Sequence, residues 1–245
     1  MAMTGSLSGR TALITGASSG IGAGVARRFA REGARLILAA RRADRLEALA
    51  QELRGLGADV LARPTDVTNE AEVLGLYADA EAFGPVDILV NNAGMVSHQA
   101  TLDLGLDEWN KVIALNLTAA FLCAREAMRV MKSRKRGKII NIGSLSAQMP
   151  RADTIAYATS KFGMEGMTRS LALDGREHGI TASIVHPGIT MSELASDAAG
   201  GTAGPMLMEA DTTAQVIALM ASVRFEANLL TATILPIAQP YLGRG

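Results

Sequence analysis

Residues Arg10 to Arg42 read RTALITGASSGIGAGVARRFAREGARLILAARR. Thr11 to Thr15 has the composition of a short buried strand, Gly16 to Gly22 is a glycine-rich turn, and Ile21 to Arg31 carries its apolar residues at helical spacing. A strand, a glycine turn and a helix in that order make a phosphate site. Gly16 permits the tight exit from the strand, Gly20 lets the backbone approach a pyrophosphate, and Gly22 lets helix and strand pack closely, with Ser18, Ser19 and Ile21 filling the turn. The helix start adds unpaired N–H groups and the positive end of a dipole. The spacing, Gly-x-x-x-Gly-x-Gly, differs from the Gly-x-Gly-x-x-Gly usual in dinucleotide sites. A purely structural connection could use the same glycines, but their register between strand and helix favours the anion.

Outward from this unit, strands and helices alternate. Strands are expected at Thr11–Ile14, Arg35–Ala39, Asp59–Ala62, Ile88–Asn91, Gly137–Ile142, Thr181–His186 and Thr231–Leu235. Helices are expected at Ile21–Arg31, Asp44–Leu53, Glu70–Phe83, Asp107–Ser133, Ala156–His178 and Thr212–Val223. That pattern predicts an α/β fold, a doubly wound parallel sheet of about seven strands with helices on both faces, because right-handed crossovers place a helix between parallel neighbours. No repeat or linker divides the 245 residues, so one domain spanning 1–245 is expected. Residues 189–208, rich in small side chains, read as a substrate lid or an ordinary surface loop.

Equal numbers of basic and acidic residues, 24 each, leave no field to draw nucleic acid or an acidic membrane. The local cluster Lys132 to Arg136 suits a helix end. The single cysteine, Cys123, excludes an internal disulfide and fits a small core residue in a reducing compartment. Without a secretory leader pattern or an apolar run long enough to span a bilayer, the expected location is the cytoplasm. His98, His178 and His186 have no paired-ligand spacing, so no metal site is expected; each reads as a surface or strand-end residue, with His98 able to border a substrate cavity.

Tyr157 and Lys161, in IAYATSKFGMEGMTRSLAL, stand one helical turn apart and share a helix face. A free phenol titrates near pH 10, and a neighbouring cation lowers that value toward a useful range. Alone, the pair is equally two solvated side chains.

With TGASSGIG at Thr15 to Gly22, DV at Asp66 and Val67, NNAG at Asn91 to Gly94, Asn116, Ser144 in NIGS, Tyr157 with Lys161, and Pro187-Gly188, the chain resembles the short-chain dehydrogenase/reductase family over nearly its whole length. The resemblance implies a Rossmann-type fold, a nicotinamide cofactor, and reversible hydride transfer between that cofactor and a carbonyl or alcohol. It implies a catalytic tetrad of Asn116, Ser144, Tyr157 and Lys161, with Ser144 thirteen positions before Tyr157. Tyr157 is then the general acid and base, Ser144 holds the substrate oxygen, Lys161 lowers the phenol pKa and binds the nicotinamide ribose, and Asn116 holds a water in a proton relay. Asp66 and Val67 are implied at the adenine, and Asn92, Ala93, Gly94, Pro187, Gly188 and Ile189 along the cofactor. Ser192 takes the place of a threonine at the nicotinamide amide, with Thr190 in competition. Met149, Pro150, Arg151 and Met191 are further candidates for the substrate cavity.

LILAARR ends the second strand with Ala40 where NAD-dependent members of such folds carry an acid, and Arg41 and Arg42 follow. Two guanidinium groups suit the extra phosphate of NADP(H), so that cofactor is expected in preference to NAD(H). Asp44 is near enough to pair with either arginine or to cap a helix. The C-terminal TATILPIAQPYLGRG lacks the Asp-Gly-Gly ending of many ketoacyl reductases and looks more like NADP-dependent hydroxy-acid and small-carbonyl dehydrogenases. A small carbonyl or alcohol is the expected substrate; a 3-oxoacyl-thioester reductase, an NAD-dependent alcohol dehydrogenase and a noncatalytic dinucleotide-binding scaffold are the alternatives. Phe121, Leu122, Met128, Phe162, Met164 and Met167 surround much of two long helices, so a second apolar face needs either more protein or another subunit, and the family resemblance implies a homotetramer or homodimer paired through these helices, with a monomer interior as the alternative.

Overall fold

The seven strands pair in the order β3-β2-β1-β4-β5-β6-β7, every pair parallel, in a computed structural model that describes residues 5–191 and 207–241. The strands are β1 (Thr11–Thr15), β2 (Arg35–Ala40), β3 (Val60–Pro64), β4 (Val86–Asn91), β5 (Gly137–Ile142), β6 (Ile180–Pro187) and β7 (Thr231–Ile234). The helices are α1 (Gly20–Arg31), α2 (Ala43–Gly55), α3 (Glu70–Phe83), α4 (Leu106–Ile113), α5 (Ala119–Lys132), α6 (Ile155–Gly175) and α7 (Ala210–Ser222). Each strand and helix of the expected alternation is present.

Successive side chains of a strand point to opposite faces, so the near-continuous apolar runs feed two cores. Ala12 and Ile14 join Leu36, Leu38 and Val90 under α1, α2 and α7, where Phe29, Leu46, Leu53 and Ile217 are fully buried. Leu13, Ile37, Leu89 and Ile139 face the other way, against Leu76 of α3, Cys123 and Met131 of α5 and Leu171 of α6. The Cys123 thiol is pushed up to about 12 by burial, with Glu126 adding to the shift, which fits a core residue.

The chain order reverses at β1, whose neighbours are β2 and β4. Loops leaving adjacent strands diverge at such a point and open a crevice at the carboxyl ends, where ligands bind in open α/β sheets.

Two of the expected helices differ in form. The one expected at Asp107–Ser133 is broken by a π-helical turn, Ala114–Thr118, between α4 and α5. The widened turn carries Asn116 and packs Leu117 so near α6 that a Cβ on Gly163 would lie 2.9 Å from it. The one expected at Ala156–His178 ends as α-helix at Gly175 and tightens into a 3₁₀ turn, Arg176–His178, closed by Gly179 in the left-handed region at φ 64°. The expected lid falls mostly on residues 192–206, outside the described residues.

Candidate active site

The glycine turn is built from backbone and held from behind. Gly16 has φ 64°, and a Cβ there would meet Ala93 Cα at 2.8 Å; one on Gly22 would meet the Gly16 carbonyl oxygen at 2.4 Å. Only glycine fits either position. The Asn92 side chain donates to the carbonyls of Thr15 and Gly16, at 3.0 and 3.1 Å, while the backbone N–H groups of Asn92 and Ala93 donate to the Thr15 hydroxyl at 3.0 and 3.1 Å. These bonds lock the end of β4 to the end of β1.

A cavity of about 950 Å³ opens above this junction. Its wall takes Gly16, Ser18, Ser19, Gly20 and Ile21 from the turn, Arg41 and Arg42 from the end of β2, and Asp66 and Val67 after β3. Asn92, Ala93 and Gly94 follow β4, Ser144 follows β5, Tyr157 and Lys161 project from α6, and Pro187, Gly188 and Ile189 leave β6. His98, Met149, Pro150 and Arg151 complete the wall near Ser144, with Gln239, Pro240 and Tyr241 of the C-terminal segment. The Tyr241 hydroxyl donates to Gln148 Oε1. Gly22 lies behind the turn, and Ser192 lies outside the described residues. Thr190, the competitor for its role, spends its hydroxyl on the Gly188 carbonyl at 3.1 Å and on Thr213.

Arg42 donates from Nη2 to the hydroxyls of Ser19 at 2.8 Å and Ser18 at 3.2 Å, which fixes a guanidinium against the turn. Asp44 sits in the first turn of α2. The Asp66 carboxyl is held below its ordinary range: burial opposes this, but the Thr68 hydroxyl and amide donate to it and Arg41 adds positive charge. A glycine-lined turn at a helix start, an adjacent cation pair and a cavity of this size fit a dinucleotide, held by the turn's N–H groups at its phosphates.

At the other end, Lys161 is buried and its ammonium donates to the Ile142 carbonyl at 2.7 Å; burial brings its pKa down to about 8. Its Nζ lies 5.7 Å from the centre of the Tyr157 ring. The Tyr157 pKa is raised, chiefly by burial, against the lowering effects of the Ser144 hydroxyl and the Arg151 charge. The expected lowering by Lys161 is therefore not what this site does by itself.

Asn116 is fully buried and stands behind the cavity wall. Its Oδ1 accepts from Met95 N–H at 2.8 Å, and its Nδ2 donates to the Met95 carbonyl at 2.9 Å and to Ser160 Oγ at 3.0 Å. Both amide protons are thus committed to protein. Ser144 caps the short 3₁₀ turn Leu145–Ala147, its Oγ accepting from Ser146 N–H at 3.1 Å. His186 takes the strand-end alternative and not the surface one: it lies near the end of β6 and is fully buried, with Nδ1 2.9 Å from the Ser144 carbonyl oxygen. Ile180, Ile184 and Val185 precede it in a strand flanked on both sides, and that pattern is the available sign of burial.

The sequence pattern of the short chain dehydrogenase family matches residues 10–201. The chain belongs to that family. As a short-chain dehydrogenase it is 42% identical over 187 residues to "Granaticin polyketide synthase putative ketoacyl reductase 1" of Streptomyces violaceoruber, covering 75% of this chain and 69% of that one. It is 37% identical over 188 residues to "D-beta-hydroxybutyrate dehydrogenase" of Rhizobium meliloti (strain 1021), covering 76% and 73%. A metagenomic short-chain oxidoreductase solved in complex with NADP superposes with a TM-score of 0.83 at 33% identity, over 96% of this chain and all of the other. This short-chain dehydrogenase is accordingly an NAD(P)-dependent oxidoreductase that binds a nicotinamide dinucleotide and acts on a small molecule.

Proposed function

We propose that the enzyme prefers NADP(H) and reversibly reduces a carbonyl compound to a secondary alcohol, with Tyr157 as general acid and base. The observation that carries this reading is one cavity shared by Ser144, Tyr157 and Lys161 at one end and the glycine turn with Arg41 and Arg42 at the other. NADPH, when bound, supplies the hydride. In reduction the Tyr157 hydroxyl gives its proton to the substrate oxygen while the Ser144 hydroxyl hydrogen-bonds that oxygen; in oxidation Tyr157 takes the proton back. Lys161 binds the nicotinamide ribose and passes protons to Tyr157; Asn116 holds the Met95 segment and α6 in register through Met95 and Ser160.

Ala40 removes the acid that would favour NAD, and Arg41 with Arg42 meets the extra phosphate. Asp66 and Val67 bound the adenine, Asn92, Ala93 and Gly94 the ribose side, and Pro187, Gly188, Ile189 and Ser192 the nicotinamide. The names of the two relatives, a ketoacyl reductase and a hydroxybutyrate dehydrogenase, support carbonyl and secondary-alcohol chemistry. The chain acts as one catalytic unit in the cytoplasm, a setting its single buried thiol suits. It assembles as a homodimer or homotetramer through α5 and α6: Leu122 and Met164 turn into the core, whereas Phe121 and Phe162 are 45% and 49% exposed and await a partner subunit. Light scattering at micromolar concentration tests the assembly, and an active monomer refutes it.

The decisive assay follows NADPH and NADH oxidation with ketones, aldehydes, ketoacyl thioesters and, in reverse, hydroxy acids. Turnover of a ketone with a lower KM for NADPH is expected; cofactor binding without turnover of any substrate would establish the scaffold alternative.

A further inference from the structure

We infer that the substrate carries a carboxylate separated from its carbonyl by one to three carbons, and that Arg151 binds this carboxylate at the mouth of the cavity. The inference rests on the carbonyl-reductase reading and names its substrate class. Arg151 lines the same cavity as Ser144 and Tyr157, six positions before the tyrosine. Its charge is felt at the Tyr157 phenol, so guanidinium and phenol are electrostatic neighbours. Among the described residues Arg151 makes no ion pair, whereas Lys111, the lysine nearer the surface of the cavity wall, already faces Glu108 at 3.8 Å.

The backbone around Arg151 is held in place. The Thr154 hydroxyl, on a buried residue, donates to the Arg151 carbonyl at 2.7 Å, and Gln99 N–H donates to the Asp153 carbonyl at 2.8 Å. Asp153 itself sits at φ 58°, in the left-handed region that non-glycine residues seldom enter. Strain of this kind persists only where surrounding contacts over-determine it, and here it turns the chain from Arg151 into α6. The Gln99 bond also brings His98, another lining residue, against the same segment, so a second nitrogen donor borders the mouth.

Charge then selects the ligand. Among the described lining residues the one carboxylate is Asp66, beside Arg41 at the far end and already occupied by Thr68. Nothing acidic among the described lining residues competes for Arg151. A planar guanidinium of this kind matches the two oxygens of a carboxylate bidentately, and anchoring that group would orient the carbonyl toward Ser144 and Tyr157.

The test uses matched pairs: 3-oxobutanoate, 4-oxopentanoate and 5-oxohexanoate, each beside its methyl ester, with NADPH. In the wild-type enzyme at least one acid should exceed its ester in kcat/KM by about tenfold or more, the scale of one charge-assisted contact. R151Q should collapse that ratio about tenfold, R151K should keep part of it, and the NADPH dissociation constant from fluorescence titration should stay within about twofold, which separates substrate from cofactor binding. Esters equal to or better than acids at all three lengths, an equal loss for acid and ester in R151Q, or weakened NADPH binding in R151Q would each overturn the assignment while leaving carbonyl reduction intact. Absence of turnover with every acid and every ester overturns the carbonyl-reductase reading together with it.

Discussion

His186 Nδ1 lies 2.9 Å from the carbonyl oxygen of Ser144, with its ring fully buried. Nδ1 also lies 3.4 Å from the Ser144 N–H, so it meets both backbone groups of Ser144, donating to the carbonyl in the Nδ1–H tautomer and accepting from the N–H in the other, while Nε2 faces Glu165 Oε2 at 4.0 Å with no hydrogen-bond partner among the described residues. The bond fixes the backbone that carries a reacting hydroxyl. His186→Leu removes it and should lower kcat about tenfold, the scale of a single lost hydrogen bond, with a smaller change in KM; His186→Asn, which keeps a donor, should recover part of the loss. Steady-state kinetics on both variants decide the matter, and wild-type kcat in the leucine variant would remove His186 from the positioning of Ser144. Burial also lowers the His186 pKa, against the raising effects of the Ser144 carbonyl and Glu165, while Lys161 lowers it further. The unfolded chain therefore takes up this proton first, and stability is lost as pH falls below about 6.5 toward the folded value.

Tyr157→Phe removes one hydroxyl and should leave cofactor binding in place while turnover falls by roughly 10²-fold or more. Single-turnover reduction followed at 340 nm, with NADPH titration as the control, checks it. Near-normal reduction of a ketone would end the proposed role of the phenol.

Lys161 carries a pH signature opposite in sense to that of a paired carboxylate. Its folded pKa of about 8 lies below the unfolded value of about 10.4, so between those pH values the unfolded chain binds the extra proton and stability rises with pH. The integrated effect is on the order of 3 kcal/mol. Lys138, also brought down to about 8 by burial with Arg10 adding to the shift, contributes a slope of the same sign. Urea unfolding at several pH values from 7 to 10.5 should show Lys161→Met with a shallower rise than the wild type; identical slopes would mean that the ammonium is not buried as described.

Replacing Arg41 and Arg42 together with alanine should weaken NADPH by about tenfold or more and NADH much less, since each charge-assisted bond is worth about 1.5–3 kcal/mol. Arg42 also donates to Ser18 and Ser19, so some common loss is expected. Titration with both cofactors separates the two contributions. Equal weakening would assign the arginines to supporting the turn.

The sheet was legible because both periodicities were strong: apolar runs such as Leu36 to Ala40 can be buried on both faces only in a parallel sheet with helices above and below. The glycine turn was legible because φ and close approach permit no other residue at Gly16 or Gly22. Local spacing carries no such information about partners distant in the chain. The Asn116 side chain bonds to Met95 and Ser160, and the contact of His186 is with Ser144, 42 positions earlier, so neither is written in its own surroundings. The direction of the Tyr157 shift failed for a similar reason. A four-residue spacing reports that two side chains share a helix face, but not how deeply both are buried.

The Thr15 hydroxyl, receiving two backbone N–H groups from Asn92 and Ala93, has a consequence for how a dinucleotide is captured. The turn needs no ordering when the ligand arrives, because crosslinks to the neighbouring strand already hold its curvature. Little conformational entropy is surrendered at the phosphates, so encounter there should be fast, with slower adjustments confined to the mouth beyond Ser144. A Thr15→Val enzyme, with the same shape but no acceptor, would meet its cofactor with a looser grip and would register the difference as faster escape.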